Sequence, residues 1–134
     1  MIAGVTIELN EKTRALLDGK NFATLATVNP DGSPQTSVIW VKRDGDSVLL
    51  STVRGRRKER NIARDPRVSL SIFAMDDPYD YVELRGIARF EDGGRALIDE
   101  LANKYRGHDY PADPDGTVRV AVRIAPARIT GFSA

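Results

Sequence analysis

The sequence predicts a small, mainly β protein with short helices, in which six strands close into an antiparallel barrel. Three observations carry this. The strand-like runs are mostly joined by tight turns of Asn, Pro, Asp and Gly, the chemistry of hairpins. The runs alternate apolar and polar residues with a period of two. One of them, YVELRGIARF, has Gly86 in its middle, where a bend or bulge would help a barrel to close. The chain has 134 residues, of which 41% are hydrophobic, and fits one domain spanning 1–134. A chain of this size buries roughly two-thirds of its unfolded surface.

LNEKTRALLDGK reads as a short helix, capped by Asn10 and ended by Gly19. Its apolar residues Ala15, Leu16 and Leu17 are few, so it needs a neighbour to lean on. FATLATVNPDGSPQTSVIWV is a hairpin that turns at Asn29, Pro30, Asp31 and Gly32. Asp44 and Gly45 mark a second turn into SVLLSTV, so three consecutive strands form a meander. In the second strand Val38 and Trp40 share one face and Ile39 and Val41 the other, so both faces should be covered.

RRKERNIARD follows directly as a helix, stopped by Pro66. RVSLSIFA returns to strand, with Val68, Leu70 and Ile72 on one face. In YVELRGIARF, Val82, Leu84, Gly86, Ala88 and Phe90 face inward, while Glu83, Arg85 and Arg89 face outward. DGGRALIDELANKYRG is a helix whose apolar stripe is Leu97, Ile98, Leu101, Ala102 and Tyr105. After the polar loop GHDYPADPDG, TVRVAVRIAPARITGF is the last strand. Val118, Val120, Val122 and Ile124 are expected inward there, and Arg119 and Arg123 outward.

The charge pattern points to function. The formal net charge is only +1, yet Arg54, Arg56, Arg57, Lys58, Arg60 and Arg64 fall within eleven positions, with Glu59 alone to offset them. They sit at a helix N-terminus, where the helix dipole disfavours cations. The strand before it ends in Ser51 and Thr52, which add further donors. Free N–H groups flanked by Arg and Lys make a phosphate site. A near-neutral chain with local positive charge suits a small anion rather than nucleic acid, and the aromatic interleaving of single-strand binders is missing.

Other chemistries find little support. Cysteine is absent and His108 is the only histidine, so no zinc set is expected. There is no Walker motif, no GxGxxG and no motif for a Ser-His-Asp triad. Asp76, Asp77 and Asp80 read as a solvated turn rather than an acid/base pair. Trp40, Tyr79 and Tyr81 could stack on a flat ligand, though core packing or an interface is the better explanation of Trp40. MIAGVTIELNEKTR has neither a basic leader nor a sustained apolar run, so no signal peptide is expected. No stretch reaches the roughly 18 apolar residues of a membrane span. A cytoplasmic protein without metal is the expectation.

The run from FATLATVNPDGSPQTSVIWV through VLLSTV to KERNIARDPRVSL resembles the pyridoxamine-phosphate-oxidase-like flavin and deazaflavin oxidoreductases, the split β-barrel superfamily. The resemblance covers about residues 10 to 132 and is closest to the branch that uses the deazaflavin coenzyme F-420. It implies a six-stranded antiparallel Greek-key split barrel that forms a homodimer with cofactor sites at the subunit interface. In the family the basic residues after the third strand hold the cofactor phosphate. Lys58 matches the phosphate-binding lysine, and Arg57 and Arg56 match the arginines one and two positions before it. Ser51 and Thr52 match the strand end that lies along the ring system, and Gln35 and Ser37 sit where the second strand passes the ring edge. Arg54, Arg56 and Arg60 are surplus cations that suit the acidic tail of F-420. No catalytic side chain is needed, because such coenzymes carry the hydride themselves. The resemblance thus implies an F-420-dependent oxidoreductase acting on a small unsaturated compound, with an FMN-dependent oxidase or reductase, or a non-catalytic F-420-binding protein, as alternatives. The chain ends in ITGFSA without the substrate-binding Arg and His of the true oxidases, so oxidation of pyridoxamine phosphate is not expected.

Overall fold

The computed structural model describes residues 7–134. The N-terminal stretch read for a signal peptide therefore lies partly outside the described residues. Three helices and seven strands run in the order α1 (Glu11–Asp18), β1 (Ala23–Val28), β2 (Pro34–Ile39), β3 (Lys42–Asp44), β4 (Ser47–Val53), α2 (Arg57–Arg64), β5 (Arg67–Ala74), β6 (Asp77–Glu91), α3 (Gly94–Arg106) and β7 (Arg119–Thr130). None of these helices is long and apolar enough to cross a membrane.

All pairings are antiparallel, in the order β2-β1-β5-β6-β7-β4-β3. The seventh strand corrects the expected six. The run from the first turn to Asp44 is broken at Trp40 and Val41, so its first part, β2, pairs with β1 and its last part, β3, with β4. These halves are the two ends of the sheet order, and the break between them closes the barrel. The expected meander survives only through this broken strand.

A break leaves backbone groups that no ladder satisfies. Here α3 supplies the partners. The Val41 N–H donates to the Tyr105 hydroxyl (3.3 Å), and its carbonyl accepts from Lys104 Nζ (2.7 Å). The same two side chains reach α1 and the link from α1 to β1. Lys104 donates to the Leu17 carbonyl (2.7 Å) and Tyr105 to the Asn21 carbonyl (2.5 Å). Burial holds the Lys104 ammonium down to about 8, while the Tyr105 ring lies 5.0 Å from it.

Local signals place the rest. The Asn10 side chain accepts from the Thr13 N–H (2.8 Å) and caps α1. Leu16 and Leu17 are buried against the barrel, as the expected leaning requires. The barrel interior is filled from alternate strand positions, among them Leu25, Val48, Leu50, Leu70, Val82, Leu84 and Ile124. A second cluster forms outside, where Leu97, Ile98, Leu101 and Tyr105 of α3 pack on Ala121, Leu49 and Trp40. Fully burying a leucine such as Leu101 contributes about 1.5–3 kcal/mol. Gly94 lets α3 start flush against β7, since a Cβ there would lie 2.5 Å from the Val120 nitrogen. Gly86 marks the expected bulge: the β6–β7 register shifts between Arg85 and Gly86. A Cβ on Gly86 would meet the Ala125 oxygen at 2.1 Å.

Val38 is 69% exposed, so one chain alone does not cover that face of the second strand, the face for which a partner chain is expected. Three other expectations change. Val118 is 55% exposed and precedes β7, while the Arg119 side chain is only 5% exposed. Arg119 is drawn in by Asp113, which takes both its Nε (2.7 Å) and an Nη (3.0 Å). Strand β7 is buried on both faces at Val120, Ala121 and Val122 because α3 covers its outer side. Finally, β6 begins at Asp77, so Asp77 and Asp80 lie on a strand and only Asp76 stays in the turn.

The strand break gives a direct test. Tyr105→Phe leaves the Val41 N–H and the Asn21 carbonyl without this partner, and should lower stability by roughly 1–3 kcal/mol. Urea unfolding measures it, with the m-value unchanged. Wild-type stability would contradict the role given to the hydroxyl.

Candidate functional site

The chain leaves β4 at Val53 and enters α2 through a turn at Arg54–Arg56. Arg56 is the N-cap, yet its side chain makes no capping hydrogen bond. The helix start is instead organised by Glu59, the single acid of the basic segment. Its buried carboxylate accepts from the Gly55 N–H (2.7 Å) and from Arg54 (3.3 Å).

A polar chain clamps α2 to the β1–β2 hairpin. Asn61 Nδ2 donates to Thr27 Oγ1 (2.9 Å) and Asn29 Oδ1 (3.0 Å). Thr27 Oγ1 in turn donates to Gln35 Oε1 (2.6 Å). Arg64 adds a hydrogen bond to the Val28 carbonyl. Asn61 is fully buried, so a lost partner here is costly.

Beside this helix start lies a groove of about 270 Å³ lined by Phe22, Val38, Ile39, Trp40, Ser51, Arg56, Lys58, Ile98, Leu101, Arg106 and Tyr110. Lys58 is half-buried in it. Burial first, and then the charge of Arg56, hold the Lys58 ammonium below the usual lysine value. Among the described residues, Arg56, Arg57, Lys58 and Arg60 form no ion pair, although most other arginines do. A cation is thus taken partly out of water without an acceptor. Folding alone does not favour that arrangement. An anion in the groove would offset it.

Of the eight sequence-predicted site residues, Ser51, Arg56 and Lys58 line this groove. The Ser51 hydroxyl is engaged with the Gly94 carbonyl (2.8 Å). Thr52 faces the barrel interior with Val48 and Leu50, fully buried and with its hydroxyl unpaired. Adjacent strand residues face opposite sides, so Ser51 and Thr52 cannot share one wall. Gln35 belongs to the polar clamp. Ser37 is half-buried on β2 with an unpaired hydroxyl. Arg57 lies by the β1–β2 turn with Asn29, Pro30 and Asp31, and Arg60 is exposed.

The sequence reading missed Phe22, Arg106 and Tyr110 as groove residues. Trp40 does line the groove, but its ring is held by packing. It stacks on Tyr105 (5.4 Å, 9°) and meets the edge of Tyr110 (6.2 Å, 80°). Tyr79 lines a different cavity, of about 530 Å³, so the three aromatics do not gather. A third cavity, of about 520 Å³, is bounded by Arg95, Arg119, Asp99 and Asp113. These residues satisfy one another. His108 is exposed in its loop, and no cluster of metal-binding side chains occurs among the described residues.

The closed antiparallel barrel carries, beside the start of α2, a groove where unpaired cations meet an aromatic wall. The chain belongs to the pyridoxamine 5'-phosphate oxidase family, which it matches over residues 9–132. It is similar to a solved F-420 reductase at 31% identity and a TM-score of 0.82, covering 91% of this chain and 98% of that one. A heme binding protein from Mycobacterium smegmatis shares 25% identity and a TM-score of 0.69, over 96% of this chain and 56% of that one. A pyridoxine/pyridoxamine 5'-phosphate oxidase of Methylibium petroleiphilum is 30% identical over 98 residues, 72% of this chain and 43% of that protein. The chain therefore spans less than half the length of this curated relative. The fold is the split barrel of the flavin and deazaflavin type, and it serves more than one purpose among these relatives.

Proposed function

We propose that the chain binds coenzyme F-420 in this groove and acts as an oxidoreductase, passing a hydride between the coenzyme and a small unsaturated compound. The single observation that supports this most is Lys58: a half-buried cation without an acceptor, at a helix start whose N-cap side chain leaves the backbone N–H groups uncapped. The residues fit the group. Lys58, Arg56 and the α2 N-terminus offer charge and donors to a phosphate, and the aromatic and aliphatic wall offers an apolar surface to a ring system. When bound, the coenzyme supplies the hydride chemistry. The protein's part is to bind, orient and exclude water.

F-420 is favoured over FMN by the likeness to an F-420 reductase along nearly the full length of both chains. The unpaired Arg57 and Arg60 near the same helix start add charge for a longer anion. FMN is the second reading, favoured by the family match and the oxidase relative. A homodimer is part of the proposal. Val38, Tyr79 and Phe132 are large apolar side chains left exposed by one chain, and a partner would cover such surface and complete an open groove.

Two measurements test this. Lys58→Ala should weaken F-420 binding by about 10- to 150-fold, the equivalent of one charge-assisted hydrogen bond of about 1.5–3 kcal/mol. The loss should shrink at high salt. The apo variant should be as stable as wild type or slightly more so, because the depressed Lys58 value means the fold disfavours its charged form. Glu59 is buried and structural, so exposed Lys20→Ala is the proper control. Unchanged F-420 affinity would sink the phosphate site, and tighter binding of FMN than of F-420 would select the second reading. Sedimentation should give twice the chain mass; a monomer would remove the shared site.

A further inference from the structure

The groove has a third cation to which coenzyme phosphate binding gives no task. Arg106 sits in the last turn of α3 and lines the same wall as Lys58 and Arg56. Its guanidinium lies 5.0 Å from the Trp40 ring centroid. Two other arginines next to the 107–118 loop are fully engaged. Arg95 bonds Asp99, Asp113 and two backbone carbonyls, and Arg119 bonds Asp113. Arg106 has no carboxylate and no hydrogen-bond acceptor among the described residues, although three carboxylates lie in the neighbouring loop sequence at Asp109, Asp113 and Asp115. Asp109 is taken by Asn103 (2.6 Å) instead.

We propose that Arg106 anchors a carboxylate borne on a flat conjugated skeleton, held in the groove beside Trp40; the proposal rests on the reading of this groove as the coenzyme site. The anion's class comes from the surroundings. Lys58 and Arg56 stand at a helix N-terminus, where backbone N–H groups favour a phosphate dianion. Arg106 stands at a helix C-terminus, where the dipole presents negative charge and disfavours a multiply charged anion. A singly charged planar carboxylate matches the guanidinium fork in two parallel hydrogen bonds. Trp40, Phe22, Ile98, Leu101 and Tyr110 form an apolar wall against which a conjugated skeleton loses water favourably. Arg106 is exposed, and its contact with Trp40 uses none of its N–H donors. The carboxylate is that of the unsaturated substrate, because the acidic tail of the coenzyme is a saturated, flexible chain and not a flat conjugated one.

Binding of FMN, F-420 and cinnamate to wild type, Arg106→Gln and Lys58→Ala tests this by calorimetry, without any turnover. FMN has a phosphate and no carboxylate, F-420 has both, and cinnamate has only a conjugated carboxylate. Arg106→Gln should bind FMN within about two-fold of wild type. It should lose about 10-fold or more in affinity for cinnamate on the F-420-loaded protein, the scale of a charge-assisted pair. Its affinity for F-420 should change far less than that for cinnamate. Arg106→Lys should keep the charge over Trp40 and the thermal midpoint, yet leave the cinnamate affinity well below wild type. The proposal is overturned if Arg106→Gln binds cinnamate like wild type, or loses FMN or F-420 equally. It is also overturned if lysine restores full affinity, or if wild type does not bind cinnamate. Failure of Lys58→Ala to weaken FMN and F-420 would instead overturn the coenzyme reading, and cinnamate binding to the apo protein would still report on Arg106.

Discussion

The break in the second strand at Trp40 and Val41 governs the rest of the molecule. A continuous strand there would leave an open sheet with β1 and β4 unable to share a neighbour. Breaking it lets one run of chain serve both ends of the sheet. The exposed backbone at the break is satisfied by Lys104 and Tyr105, which also hold α1. That bond set fixes α3 against the outside of the barrel. It also turns the Trp40 ring out of the barrel and onto Tyr105, where it becomes a wall of the groove. Barrel closure and site construction are therefore one event, and a change at the break reaches both.

The other wall depends on α2, whose charges would otherwise repel one another. Two devices hold it. Glu59 gathers Gly55 and Arg54 at the helix start, and Asn61 ties the helix to Thr27 and Asn29. Both are buried, so they act in a setting where electrostatics are strong and mispairing is costly. Neither partners Lys58 or Arg56. One set of contacts keeps the helix in place, and the groove cations take no part in it. Glu59 and Asn61 are therefore structural in a way that Lys58 is not.

Much of this was readable in the chain because it is local. The Asn10 cap, the α3 stripe, Pro66 after α2 and the Gly86 bulge each depend on residues within a few positions of one another. The strand break was not readable. Val41 depends on Tyr105, 64 positions away, and nothing within SPQTSVIWV marks a stop. Arg119 misled for a similar reason: it keeps the outer parity expected of it, but its pairing with Asp113 takes it out of solvent. In the site, the basic segment was visible as a charge excess, and Ser51, Arg56 and Lys58 do converge. The separation of the Thr52 side chain from that of Ser51 is legible from strand parity alone. Phe22, Arg106 and Tyr110 carry no sequence signal; an arginine in a last helical turn is ordinary, and only the fold brings it to Trp40.

The central claim is that Lys58 is a cation kept short of a partner until an anion enters. The most direct measurement is its titration by NMR, with lysine labelled at Cε, in the free protein and with saturating FMN or F-420. In the free protein the value should lie below that of an ordinary lysine, from burial and Arg56, and it should rise clearly when the phosphate binds, because a nearby negative charge favours the ammonium. A Lys58 that titrates like a surface lysine and does not move on saturation would contradict it.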